Sequence, residues 1–252
     1  MNWRNLQLEI DWCLQNLLTL SAPVVKRRLH DPRHLQAGLT PEQLKRYQTL
    51  GADYPLDTWS TVCSRQEYLI NLHILDLLDR YAIPATGRGL DIGAGNWAYL
   101  PALLSWSGQA WDGVELDAHR RDWTLVTRRA YAKDMQRLCD DCRYHSGSLR
   151  HHTGHYACIT WFLPYVLPAP LHAARLPPRF FEPQALLQQA WSLLLPGGTL
   201  FIVNQGKDEA TAQSRLFQEQ HIPAQSMGEV KSVFCVYRQL RYGWRATKPP
   251  VP

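Results

Sequence analysis

The residues best suited to chemistry lie between Gly87 and Leu100, in GRGLDIGAGNWAYL, and about twenty positions further on. Gly93 and Gly95 follow a short apolar run, Gly89 to Ile92, and precede residues able to start a helix. This is the strand, glycine turn, helix order of a nucleotide-binding unit. Glycine at 93 permits a backbone shape that a side chain forbids, and glycine at 95 lets the main chain approach a ligand with no Cβ between. Asp91 offers a carboxylate suited to a ligand carrying an ammonium group. The next acid, Glu115, ends a second apolar run in WDGVELD, Trp111 to Asp117. One carboxylate there can accept hydrogen bonds from both hydroxyls of a ribose. Gly93, Gly95 and Ala98 also satisfy the dinucleotide fingerprint, so the turn alone leaves the cofactor open.

Three details separate the alternatives. Asp91 stands where dinucleotide-binding dehydrogenases carry an apolar residue, Asn96 and Trp97 occupy a loop where a pyrophosphate needs small residues, and the unit begins after a long leader. Further on, Gly147-Ser148-Leu149 marks the end of a third strand. LLLPGGTLFIV, Leu193 to Val203, reads as a helix end, a Pro-Gly-Gly turn and a fifth strand. In this order the four features resemble the class I S-adenosylmethionine-dependent methyltransferases, across about residues 64–237. The resemblance implies an α/β fold: a Rossmann-like seven-stranded, mostly parallel sheet with helices on both faces, closed by an antiparallel hairpin. It implies S-adenosylmethionine as cofactor, with S-adenosylhomocysteine as product. The cofactor would contact Asp91, Gly93, Ala94, Gly95 and Trp97, with Glu115 and Leu116 at its ribose, Ser148 and Leu149 near its adenine, and Thr160 beside it. Relatives often carry Gly-Asp where this chain has Gly147-Ser148, so the Ser148 hydroxyl or the backbone would stand in for that acid.

At 252 residues the chain is long enough for one α/β domain with an appendage. We divide it into a helical N-terminal extension, residues 1–63, serving as lid, substrate wall or dimerisation element, and a Rossmann-like domain, residues 64–252. Hydrophobic residues make up 45% and charged residues 19%, which excludes a disordered chain. A formal charge of +5 permits an anionic substrate or nucleic acid without requiring either. Ten tryptophans favour aromatic walls around a pocket. Glu9 and Asp11 interrupt the apolar N-terminal stretch, which therefore does not read as a signal peptide, and no apolar run approaches a membrane span. The expectation is a cytoplasmic monomer or homodimer with reduced cysteines.

The elements that must position the site follow from periodicity and caps. Leu6, Ile10, Cys13, Leu14, Leu17 and Leu18 predict an amphipathic helix over about residues 2–20, its apolar stripe docked or dimerised. The cluster Lys26, Arg27, Arg28, His30, Arg33 and His34 reads as a solvated loop. Thr40 and Pro41 open a helix that Gly51 should stop, and Ser64 with Glu67 forms a capping box for a helix to about Tyr81. A helix is expected over 97–105, bent by Pro101. Another runs from 118 to 139 with Asp117 as its N-cap, Trp123, Val126, Ala130, Met135 and Leu138 inward, and Arg120, Arg121, Arg128 and Arg129 on a wet face. Cys139 and Cys142, with His145, His151, His152 and His155, have zinc-ligand chemistry, but their spacing is irregular and Cys142 should start a strand, so no metal is expected.

Tyr156 to Trp161 should be the buried fourth strand. After it, Pro164, Pro168 and Pro170 exclude regular helix and stiffen a loop over the crevice at the strand ends. Trp161, Phe162 and Tyr165 could clasp a flat or cationic acceptor. Thr160 to Pro164 lacks the Asn or Asp, Pro-Pro, aromatic pattern of similar families that methylate base amino groups. His172, Tyr165 and Asn204 are the candidate catalytic residues. Helices are expected over 181–195 and 208–220, then an alternating strand over 231–237 and a basic tail over 238–248.

The expected chemistry is methyl transfer from a sulfonium, most simply to a small molecule. An RNA or protein acceptor, or a catalytically silent cofactor-binding or interaction module, is the alternative, and a dinucleotide oxidoreductase fits least.

Overall fold

Caps and prolines set where the helices start. The protein is described by a computed structural model over residues 3–84 and 86–250. Helix α1 spans Trp3–Leu17, α2 Arg33–Gln36 and α3 Pro41–Asp53; a 3₁₀ turn, Leu56–Thr61, leads into α4, Arg65–Arg80. Both α3 and α4 open on complete capping boxes, Thr40 with Gln43 and Ser64 with Glu67, each side chain satisfying the other's backbone N–H. Then follow β1 (Gly89–Ile92), α5 (Leu100–Ser107), β2 (Trp111–Glu115), α6 (Arg128–Gln136), β3 (Arg143–Ser146) and β4 (Tyr156–Phe162). The chain ends with α7 (Pro168–Ala173), α8 (Pro183–Leu193), β5 (Leu194–Gln205), α9 (Gly206–Glu219), β6 (Ala224–Val230) and β7 (Arg241–Thr247).

The strands form one seven-stranded sheet in the order β3-β2-β1-β4-β5-β7-β6. The first five are parallel, and β7 lies antiparallel to both β5 and β6. Strand order reverses between β1 and β4, so a crevice opens beyond the carboxyl ends of these two strands. One core layer gathers Leu72, Leu75, Trp97, Leu103, Trp111 and Phe201; the other gathers Leu90, Ile92, Ile159, Leu187, Ile202 and Phe217. Buried strands with apolar residues on both faces are what a sheet covered by helices requires. Trp111 lies directly over Gly89, where an added Cβ would stand 2.5 Å from the indole ring. We expect Gly89→Ala to destabilise the fold by about 2 kcal/mol through overpacking; an unchanged urea midpoint would contradict this packing.

Several expected elements are redrawn. On α1 only Leu8 is buried, whereas Ile10, Leu14 and Leu17 are 50%, 51% and 76% exposed. The apolar stripe is not the docking face, because polar and aromatic side chains seat this helix. Helix α3 runs through Gly51 to Asp53, since an interior glycine costs only about 1 kcal/mol. Pro101 opens α5 rather than bending it, sitting in the first turn where its missing N–H is no loss. Pro168 and Pro170 likewise stand in the first turn of α7, so the loop after β4 does contain a helix.

The long helix expected over 118–139 is absent. Asp122 Oδ1 accepts from the backbone of Thr124 and Val126 and from the Thr124 hydroxyl, and this turn competes with helix. Helix α6 starts only at Arg128, with Thr127 rather than Asp117 as its N-cap. Trp123, expected inward, is 92% exposed. The alternating segment 231–237 is a loop with an isolated bridge between Ser232 and Cys235, and the supposed basic tail forms β7, inside the sheet. Gly243 explains the tail's place: an added Cβ would lie 2.6 Å from Val230, so only glycine lets β7 pack this closely against the β6 edge.

Candidate cofactor and acceptor site

The glycine turn leaves β1 with Gly93 at φ 72° and Gly95 at φ 58°, both in the left-handed region. A Cβ at either would meet nothing within 4 Å, so the turn presents bare backbone to open space. Gly93 and Ala94 donate their N–H groups to the Val114 carbonyl at 2.9 and 3.2 Å, which fastens the turn to β2. Glu115, at the end of β2 and 7% exposed, accepts from Gly95 N–H at 2.8 Å through Oε2 and from Asp117 N–H at 2.7 Å through Oε1. A carboxylate has about four acceptor positions, so capacity for ligand hydroxyls remains.

These residues open on a cavity of about 1340 Å³. Of the positions singled out in the sequence, Gly93, Gly95, Glu115, Leu116, Ser148 and Leu149 line it, and so do Trp161, Phe162 and Tyr165. Ser148 Oγ accepts from Arg150 N–H at 3.2 Å and so caps a 3₁₀ turn, Leu149–His151. Ala94, Trp97, Asp91, Thr160, His172 and Asn204 are not on the cavity wall. Trp97 is fully buried beneath Gly113. Asn204 is fully buried too, and neither amide atom has a hydrogen-bond partner among the described residues. Helix α7 turns Leu171 and Ala173, not His172, to the cavity. Asp91 is fully buried and accepts from the Thr160 hydroxyl at 2.7 Å. Burial pushes its carboxyl up to about 7, against the hydrogen bond from Thr160.

Part of the wall has no counterpart among the expected site residues. Arg120, Arg121 and Arg128, assigned by helical periodicity to solvent, line the cavity with Tyr131 because the segment before α6 is not helical. Arg120 pairs with Asp117, and Arg128 reaches Asp117 and Glu115 at 3.4 Å each. An acid at 117 followed by arginines three and eleven residues on is the sequence trace of this network, but only the turn at Asp122 brings it together. The first turn of α9 adds Lys207, Asp208 and Glu209.

Helix α1 lies against the same region. Asp11 pairs with Arg175 at 3.1 Å and Glu9 with Arg179 at 2.8 Å, while Gln15 donates to Asp117 at 2.6 Å and the Trp12 and Phe180 rings lie 4.7 Å apart. Arg121 donates to the carbonyls of Leu18 and Leu20 at the end of the helix. A second hollow, about 460 Å³, lies between α1 and Arg120, Arg121 and Arg175.

The histidine-rich stretch gathers differently from the sequence pattern. Asp112, His145 and His152 place potential ligand atoms within 4.8 Å of one another, without Cys139 or Cys142. The Tyr156 hydroxyl already links two of them, donating to Asp112 at 2.7 Å and bonding His152 Nε2 at 2.8 Å, and Arg88 pairs with the same carboxylate. Asp112 and His152 are thereby tied into a polar network, while His145 Nε2 has no hydrogen-bond partner among the described residues. Cys142 accepts from Trp111 N–H at 3.3 Å through sulfur, and burial pushes its thiol up to about 12.

Among the described residues no helix is long and apolar enough to cross a membrane. No family model matches the chain, and no curated protein matches it. Among solved structures the chain is similar to the S-adenosylmethionine-dependent methyltransferase SibL in its apo form, with a TM-score of 0.50 and 14% identity over 96% of this chain and 70% of that one. Two further structures superpose with TM-scores of 0.49. One is the N-methyltransferase NodS from Bradyrhizobium japonicum, 12% identical over 73% of this chain and 96% of that one. The other is the glycopeptide N-methyltransferase MtfA in complex with S-adenosylmethionine, 11% identical over 71% of this chain and 94% of that one. Strand order, the antiparallel β7 and the likeness to SibL agree: the chain has the Rossmann-like fold of the class I S-adenosylmethionine-dependent methyltransferases.

Proposed function

We propose that this protein binds S-adenosylmethionine and transfers its methyl group to a small molecule. The observation that carries the proposal is the hydrogen bond from Gly95 N–H to Glu115, which ties an open glycine turn to the acid at the end of β2 on one cavity wall. In this reading the ribose hydroxyls donate to Glu115. Leu116 and Leu149 flank the adenine, whose amino group meets the backbone or the hydroxyl at Ser148. Gly93 and Gly95 give the methionine part a surface free of side chains. Trp161, Phe162 and Tyr165 wall the acceptor side.

The reaction asks little chemistry of the protein. A lone pair of the acceptor forms the bond to the methyl carbon, and the carbon–sulfur bond breaks with its electron pair left on sulfur as a thioether. The chain's contribution is alignment and exclusion of water. A small acceptor suits a walled cavity, and we assign the role of lid to the extension up to residue 63, whose helix α1 borders the neighbouring hollow and packs Trp12 on Phe180 of the cavity wall. The leader's basic cluster argues less for RNA than its sequence does, because Lys26 is paired with Glu67 at 3.3 Å and Asp134 at 2.9 Å.

Isothermal titration with S-adenosylhomocysteine, with NAD in parallel, tests the cofactor. Micromolar binding of the first with none of the second is expected. No binding of S-adenosylhomocysteine would reduce the glycine turn to a mark of the fold.

A further inference from the structure

Helix α9 begins where β5 ends, and its first turn forms part of the cavity wall. Glu209 in that turn is 7% exposed and has no ion-pair partner among the described residues. Its Oε2 accepts from Gln205 N–H at 2.8 Å, the one hydrogen bond to this carboxylate among the described residues. A carboxylate with this little exposed surface is ordinarily matched by a cation, because desolvation otherwise favours the neutral acid. Burial does raise this carboxyl above its ordinary value, against the hydrogen bond from Gln205 and the more distant charge of Arg241.

The other charges on the wall are differently disposed. Arg120 and Arg128 are committed to Asp117 and Glu115, Arg121 donates to the Leu18 and Leu20 carbonyls, Asp122 is taken up by its own turn, Glu182 pairs with Arg150, and Lys207 and Asp208 are exposed to solvent beside Glu209. Trp161, Phe162 and Tyr165 supply aromatic surface to the same cavity. A buried acid without an ion-pair partner among the described residues, together with aromatic walls, matches a ligand with a cationic end and an apolar body.

We infer that, within the methyl-transfer reading, Glu209 is the binding subsite for the ammonium group of an amine-bearing acceptor, whose apolar body rests on Trp161, Phe162 and Tyr165. Sequence periodicity assigned this residue only to a polar helix. Its competing role is local: the bond to Gln205 N–H also caps α9. Glu209→Gln separates the two, since the amide oxygen keeps the cap and only the charge is lost.

The test uses the full chain saturated with S-adenosylhomocysteine and titrated calorimetrically with 2-phenylethylamine, 2-phenylethanol and 3-phenylpropionate, which share an aromatic ring and differ in charge. The wild type is expected to bind the amine about tenfold or more tightly than the alcohol, a difference of about 1.4 kcal/mol. In Glu209→Gln that ratio should fall to about one, and in Glu209→Asp, which keeps the charge, an amine preference should persist. Equal binding of amine and alcohol by the wild type, tighter binding of the carboxylate, or an amine preference that survives Glu209→Gln would each overturn the subsite and leave the cofactor assignment standing. Failure of the wild type to bind S-adenosylhomocysteine would overturn both.

Discussion

Glu115→Ala should raise the dissociation constant for S-adenosylhomocysteine at least about a hundredfold, close to 3 kcal/mol. Two hydrogen bonds from a ribose to an ionised acceptor contribute roughly 1.5 kcal/mol each. The substitution reaches beyond the ligand. Gly95 and Asp117 both direct their N–H groups at this carboxylate, at 2.8 and 2.7 Å, so its removal strands two backbone donors and loosens the glycine turn itself. A parallel fall in unfolding free energy of about 2 kcal/mol is expected from those orphaned donors. Glu115→Gln keeps one oxygen and should lose only about tenfold in affinity. Calorimetric titration of the three proteins, with urea denaturation alongside, reads both effects; unchanged affinity in Glu115→Ala would remove this residue from the ribose site.

Asp91→Asn should make the protein more stable, and increasingly so as pH rises. Asp91 is fully buried with its carboxyl pushed up to about 7, whereas an unfolded chain titrates it near 3.9. Below about pH 4 the group is protonated in both states and contributes no pH dependence. Between about 4 and 7 the unfolded chain sheds the proton first, so stability falls as pH rises; above about 7 the group is ionised in both states and the penalty is constant. That penalty is about 4 kcal/mol, from a shift of about three units. Asparagine preserves the acceptor for the Thr160 hydroxyl and cannot ionise. The stability difference between variant and wild type, measured by denaturant titration, should be near zero at pH 4 and reach several kcal/mol at pH 8. A difference that does not change with pH would show that Asp91 is not the titrating group. The same burial bears on its expected part in binding: with no surface on the cavity, Asp91 meets a ligand's ammonium group only if the turn moves.

Local chemistry made much of the fold legible. The glycine turn, the acid at the end of β2, both capping boxes and the Pro-Gly-Gly turn before the body of β5 each declare themselves within a few residues, because backbone φ, capping and strand endings are short-range matters. Periodicity misled where a side chain competed with the backbone or where the partner surface was distant. Asp122 breaks the helix that the spacing of Val126, Ala130 and Met135 suggests, and the alternation of residues 231–237 shows sidedness without a strand to pair with. The segment Arg241–Thr247 looked like a basic tail because its neighbours were unknown; between β5 and β6 its backbone is paired on both edges.

The sequence by itself determined the strand, turn and helix grammar, the place of Glu115 and the class of fold, since each rests on backbone geometry written in consecutive residues. Only the tertiary structure decided which side chains share the cavity. It turned Asp91, Thr160 and Asn204 inward, brought Arg120 and Arg128 to the wall, and left Glu209 buried there without an ion-pair partner among the described residues. Burial and charge pairing arise from contacts between residues far apart in the chain, and no local pattern fixes them.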